Sequence, residues 1–130
     1  MRRRRILVSD DDRNTLEAVR VRLQAEGFDV SIATDGYQAV AMARSEAPDL
    51  VVLDIGMPAG DGFSVHERLR QIPELDRVPI IYMTGQDPEV VDRRAMQDGA
   101  RAVLHKPFRG ADLIEECRTA LGFWKRQSAG

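Results

Sequence analysis

The most constraining feature of this chain is an unbroken apolar run, Leu50-Val51-Val52-Leu53, that stops abruptly at Asp54. A strand without polar alternation is covered on both faces, which is the situation of a central strand in a parallel sheet carrying helices on either side. Four more short segments read as strands: Ile6 to Val8, Phe28 to Ala33, Val78 to Met83 and Ala102 to Leu104. Apolar residues recur at helical spacing in the segments that follow, as Leu16, Val19 and Leu23, as Ala39, Val40 and Ala43, as Val65, Leu69 and Ile72, and as Leu113, Cys117 and Leu121. Start and stop signals frame them. Asp12 and Asp61 are expected N-caps, Gly27 and Pro48 expected stops, and Asp87-Pro88-Glu89 supplies a cap, a first-position proline and a first-turn acid before a helix that Gly99 ends. Strand and helix alternating five times predict an α/β fold with right-handed crossovers.

The chain's 130 residues suffice for one domain. Its apolar runs are far shorter than the ~20 residues that span a bilayer, and no apolar stretch of signal-peptide length follows Arg2 to Arg5. No membrane association is expected. A single cysteine, Cys117, excludes an internal disulfide and a multi-cysteine zinc site, so a cytoplasmic location is expected. Net charge is -2 with 19 basic residues, four of them in positions 2–5, so the body is more acidic than the total suggests. Direct nucleic-acid binding is not expected of it. Residues 1–121 read as the domain, with 1–5 a basic leader and 122–130 a tail or linker root carrying Phe123-Trp124.

In an open parallel sheet the functional crevice lies outside the carboxyl ends of the strands, where the strand order reverses. Asp10-Asp11-Asp12 follows the first strand, Asp54 ends the third, Thr84 follows the fourth, and Lys106-Pro107 follows the fifth. Two carboxylates about 4 Å apart repel by ~4 kcal/mol at an effective dielectric near 20. Lys106 alone does not balance three acids, whereas Mg²⁺ suits one or two carboxylates, a carbonyl and retained waters. Lys106 and Thr84 add the charge and the hydroxyl that a phosphoryl oxygen needs. The rim therefore reads as a centre for metal and phosphoryl group.

Four segments together resemble a bacterial response-regulator receiver domain of the two-component systems: Ile6-Leu7-Val8-Ser9-Asp10-Asp11-Asp12, Leu53 to Phe63, Met83-Thr84-Gly85 and Lys106-Pro107-Phe108. The resemblance implies a flavodoxin-like (βα)5 three-layer sandwich with strand order 2-1-3-4-5. It implies that Asp54 is the phospho-acceptor and that Asp11, Asp54 and the Gly56 carbonyl ligate Mg²⁺ directly, with Asp10 acting mainly through water. Lys106 would pair with the acceptor and then with the phosphoryl group, Thr84 would bond a phosphoryl oxygen, and Lys106-Pro107 would be cis. The implied partners are a histidine kinase or histidine phosphotransfer protein and a downstream output protein or domain. Signalling would use the face of the fourth helix, fifth strand and fifth helix, and the resemblance allows a homodimer through that face. The domain would catalyse its own phosphorylation and dephosphorylation without being a turnover enzyme.

Two rival readings are weighed beside it. A receiver-like interaction module that works unphosphorylated would lack an acid, the threonine or the lysine, and none is missing here. An aspartyl-nucleophile phosphatase of the haloacid-dehalogenase type needs Asp-x-Asp-x-Thr after the first strand, and Asp10-Asp11-Asp12-Arg13-Asn14 lacks that threonine. The sequence departs from the family at Val103, where an aromatic ring is usual, while Gly56 and Gln86 occupy positions that tune phosphoryl lifetime. His66 and His105 are expected on the surface and Cys117 in the core.

Overall fold

β3 (Leu50–Asp54) is the middle strand of the sheet and is buried along its whole length. It lies between β1 (Arg5–Ser9) and β4 (Ile80–Thr84); β2 (Asp29–Ala33) and β5 (Ala102–His105) form the edges. All four pairings are parallel, and the order is β2-β1-β3-β4-β5. The computed structural model describes residues 3–57 and 61–122.

The connecting helices are α1 (Arg13–Ala25), α2 (Gly36–Glu46), α3 (Gly62–Arg70), α4 (Pro88–Asp98) and α5 (Gly110–Ala120). Asp12, Asp35, Asp61 and Asp87 cap the first four, each accepting a backbone N–H of the first turn. Cap side chains thus fix where each chain reversal above the strand ends begins. Strand alternation divides the core between two layers. Leu7, Val51, Leu53, Ile80 and Tyr82 face α2, α3 and α4, while Ile6, Val8, Val52, Ile81 and Met83 face α1 and α5. Ala39 and Ala43 of α2 are fully buried, so small side chains bring that helix close to the sheet.

Several boundaries differ from the sequence reading. Arg5, expected in a basic leader, belongs to β1, where its N–H donates to Asp49 and its guanidinium to Glu46. Phe28 and Val78 precede their strands. α3 ends at Arg70, so Ile72 lies beyond it and leads into a 3₁₀ turn, Pro73–Leu75, for which the helical spacing gave no sign. α2 stops with Ala47 in the left-handed region at φ 49°, because Pro48 bars continuation. The expected tail beyond Gly122, with Phe123 and Trp124, lies outside the described residues, as do Arg2 and Pro58.

Candidate phosphoryl-acceptor site

The acids and the lysine meet at one rim although the chain separates them widely. Asp10 continues β1, its N–H bonded to the Ala33 carbonyl at 3.1 Å, and its side chain is wholly buried. One Asp10 oxygen accepts the Asp12 N–H at 2.9 Å and the other accepts the Lys106 ammonium at 2.7 Å. Asp54 is 7% exposed and accepts the Gly56 N–H at 3.2 Å. Lys106 Nζ stands 3.8 Å from Asp54 Oδ1, so in this state the lysine belongs first to Asp10 and second to the expected acceptor. Asp11 is exposed, yet one oxygen from each of Asp10, Asp11 and Asp54 lies within 4.8 Å of the others.

Electrostatics follow from this placement. Burial, and then the neighbouring Asp10 charge, push the Asp54 carboxyl from 3.8 up to about 6; the Gly56 N–H and Lys106 pull it down only in part. A carboxylate held against its preference for water and beside a second acid is a candidate functional group. The donor set is hard oxygen on short side chains, which fits a small divalent cation such as Mg²⁺.

The surrounding loops are held by backbone and small-group contacts. Thr84 is buried and its hydroxyl accepts the Gln86 N–H at 2.9 Å, while the Lys106 N–H donates to the Thr84 carbonyl at 2.7 Å. The second bond ties the lysine's strand end to the threonine's. Lys106-Pro107 is cis. Ser9 Oγ donates to Met57 Sδ at 2.8 Å, which fastens the loop after Asp54 to β1. At Gly62 an added Cβ would lie 2.8 Å from the Asp54 carbonyl oxygen, so α3 starts directly against the end of β3 and only glycine fits. Gly56 leaves open space; a Cβ there would stand 3.9 Å from Gln86 Nε2, so the glutamine amide borders the place of the missing side chain.

Sequence reasoning located the rim residues but missed the Asp10–Lys106 bond and the Ser9–Met57 contact, which depend on side-chain reach across strands rather than on local spacing. One expectation about the histidines is corrected. His66 is 1% exposed, because α3 turns it inward onto Tyr82. His105 is half-buried and pairs with Asp92 of α4 at 3.0 Å. Cys117 is fully buried as expected, and burial pushes its thiol up to about 12.

Comparison with known proteins agrees with this geometry. The family model for the response regulator receiver domain matches residues 6–118. The chain belongs to the response regulator receiver domain family. Response regulator MprA of Mycobacterium tuberculosis is 40% identical over 126 residues, which cover 96% of this chain and 54% of that protein. Response regulator PleD of Caulobacter vibrioides is 34% identical over 119 residues, 92% of this chain and 26% of that one. The receiver domain therefore spans about half, or about a quarter, of the length of these curated relatives. Among solved structures, chemotaxis protein CheY4 of Vibrio cholerae superposes with a TM-score of 0.87 at 27% identity, covering 92% of this chain and all of that one. The receiver domain of sensor histidine kinase PA1611 from Pseudomonas aeruginosa, with magnesium in its active-site cleft, gives 0.84 at 30% identity, covering 93% and 99%. This receiver domain is accordingly a component of two-component signalling. Among its described residues no helix is long and apolar enough to cross a membrane.

Proposed function

We propose that this receiver domain is a phosphorylation-activated switch in which Asp54 takes a phosphoryl group from a phosphohistidine of a histidine kinase or histidine phosphotransfer protein. The observation that carries the reading is the convergence of Asp10, Asp11, Asp54, Thr84 and Lys106 on one rim, with Asp54 half-forced toward its neutral form. Mg²⁺, held by Asp11, Asp54 and the Gly56 carbonyl with Asp10 acting mainly through water, would offset the carboxylate charge and stabilise charge developing on the phosphoryl oxygens.

The chain's own groups do the rest. An Asp54 oxygen attacks phosphorus as the phosphorus–nitrogen bond to the donor imidazole breaks, and the electron pair of that bond leaves with the imidazole. Lys106 turns from Asp10 toward the new phosphoryl oxygens, a short movement because its ammonium already lies 3.8 Å from Asp54. The Thr84 hydroxyl exchanges the Gln86 N–H for a phosphoryl oxygen to which it donates, and so pulls the β4–α4 connection. Val103 sits beside Tyr82 in the strand register and offers no ring to relay that pull. The signal would run through Gly85-Gln86-Asp87 to the α4-β5-α5 face, where an output protein or domain, or a second copy, would read it. Residues 1–121 would constitute this unit, with 122–130 leading from it. The domain would be a self-modifying switch working in the cytoplasm, without direct nucleic-acid or membrane binding of its own.

Incubation with Mg²⁺ and acetyl phosphate is expected to add one phosphoryl group, read by intact mass, and Asp54→Asn to abolish it. Retained labelling in that variant would displace the nucleophile. Absence of labelling from acetyl phosphate and from kinase donors would favour a module that works unphosphorylated.

A further inference from the structure

One buried polar contact lies directly behind the rim. The Ser9 hydroxyl donates to Met57 Sδ at 2.8 Å, and the two residues are 0% and 5% exposed. Strand alternation puts Ser9 on the same side of the sheet as Leu7, and Met57 belongs to that core layer. The pair joins segments that the chain keeps 48 positions apart. Ser9 is the last residue of β1 and is followed by Asp10 and Asp11, while Met57 directly follows Gly56 in the loop after Asp54. Each partner of the contact thus adjoins a segment whose oxygens are expected at the cation.

Packing does not call for this bond. Taking a hydroxyl out of water costs free energy that a thioether, a weak acceptor, returns only in part. An alanine at position 9 would sit in the same buried place without that cost. What the hydroxyl adds is direction, because methionine is unbranched and adaptable and a hydrogen bond fixes where its sulfur lies. Gly56 has no such means of its own. It has no side chain to pack, and a Cβ there would meet nothing nearer than Gln86 Nε2 at 3.9 Å. Upstream, the Ile55 N–H is tied to the Met83 carbonyl at 3.1 Å and the Gly56 N–H to Asp54 Oδ1 at 3.2 Å. The Gly56 carbonyl lies beyond both ties, on the peptide that leads into Met57.

We propose that Ser9 is a positioning residue for the divalent cation: its hydroxyl holds Met57, and Met57 holds the Gly56 carbonyl where it serves as a ligand beside Asp11 and Asp54. The inference rests on the reading of the rim as a Mg²⁺ site. Mg²⁺ demands near-ideal octahedral geometry, whereas Ca²⁺ accepts a flexible set of oxygens. Loosening one carbonyl is therefore felt more by the smaller ion than by the larger.

Calorimetric titrations of the metal-free, folded protein with Mg²⁺ and with Ca²⁺ test this on the parent, Ser9→Ala, Met57→Leu and the double variant. Ser9→Ala is expected to weaken Mg²⁺ binding about tenfold, the lower end of what losing the partner behind a ligand costs a metal site. It should weaken Ca²⁺ binding less, so that the preference for Mg²⁺ falls. Its urea midpoint without metal should stay unchanged or rise, because the removed hydroxyl had only a weak acceptor. In the Met57→Leu background, Ser9→Ala should weaken Mg²⁺ no further. Parental Mg²⁺ affinity in Ser9→Ala, equal losses for the two ions, a lowered urea midpoint, or full additivity of the two substitutions would each overturn the proposal and leave the rim reading standing. A parent that binds neither ion would overturn the rim reading, and this proposal with it.

Discussion

Two buried polar clusters flank β4, and they are built on opposite electrical plans. At the rim, Asp10 and Asp54 carry like charge into a place where water is scarce, with Lys106 their one close cation among the described residues. Under α3, His66 and Tyr82 meet as neutral donor and acceptor amid aromatic rings, Phe63 standing edge-on to Tyr82 at 5.2 Å and His66 at 5.6 Å. The first cluster is destabilised until further positive charge completes it. The second is almost complete by itself and stitches a helix to a strand. Burial alone therefore does not mark a functional group; burial with unresolved charge does.

The sharpest way to break the contrast is to remove the rim's cation. Lys106→Ala is expected to cost about 4 kcal/mol in metal-free protein at pH 7.5, because Asp10 and Asp54 then face each other without compensation. Urea unfolding measures it. The loss should shrink below about pH 6, where Asp54 takes a proton, and in millimolar Mg²⁺. A loss under about 1 kcal/mol would show the rim acids to be solvated after all.

The pH dependence of the two clusters should run in opposite directions. Asp54 is raised from 3.8 to about 6 in the fold, so its contribution to stability is present below about 4 and is lost as pH rises through 6. His66 is lowered from 6.5 to about 4, so its contribution is present above 6.5 and is lost as pH falls toward 4. Each window amounts to about 3 kcal/mol at full extent. In the metal-free parent the two slopes offset between pH 4 and 6. His66→Phe should then gain stability on acidification through that window and Asp54→Asn should lose it, as thermal melts across the window would show. Parallel profiles for the two variants would mean that one of the two environments is misjudged.

Tyr82→Phe should cost about 2 kcal/mol, since it leaves the His66 Nδ1 buried without its donor. Adding His66→Leu should recover part of that loss in a double-mutant cycle, because two apolar groups replace two polar ones. The smallest effect separates neighbours in the acidic triplet. Asp12→Ala should cost about 1 kcal/mol, the value of an N-cap, and leave Mg²⁺ affinity unchanged. Asp11→Ala should leave stability nearly unchanged and weaken Mg²⁺ binding. Calorimetric Mg²⁺ titrations of both variants check this, and equal losses of affinity would shift the ligand register by one residue.

The same contrast explains what sequence could and could not reveal. The rim was legible because each of its residues follows a strand, and in a parallel sheet strand ends are brought together by topology alone. The uninterrupted burial of Leu50 to Leu53 and the caps at Asp12, Asp61 and Asp87 were legible for the same reason, as local pattern with a direct physical cause. His66 was not. In the α3 sequence it sits next to Val65, and spacing along a helix does not say that both adjacent residues are buried when a tyrosine waits on the strand below. His105 stays partly exposed, as expected, but its pairing with Asp92 on another element was not legible. Side-chain pairs across elements need three-dimensional coordinates; strand-end clusters need only the order of strands.

The bond between Lys106 and Asp10 spans 96 positions. During synthesis the three acids emerge long before the lysine that balances them. At about 5–20 residues per second, several seconds pass between synthesis of the acids and synthesis of their counter-charge. A nascent or truncated chain that ends before β5 would therefore present the acids without the cation that readies them for a donor. If Asp54 is the acceptor, competence to receive a phosphoryl group would begin only once translation has passed residue 106.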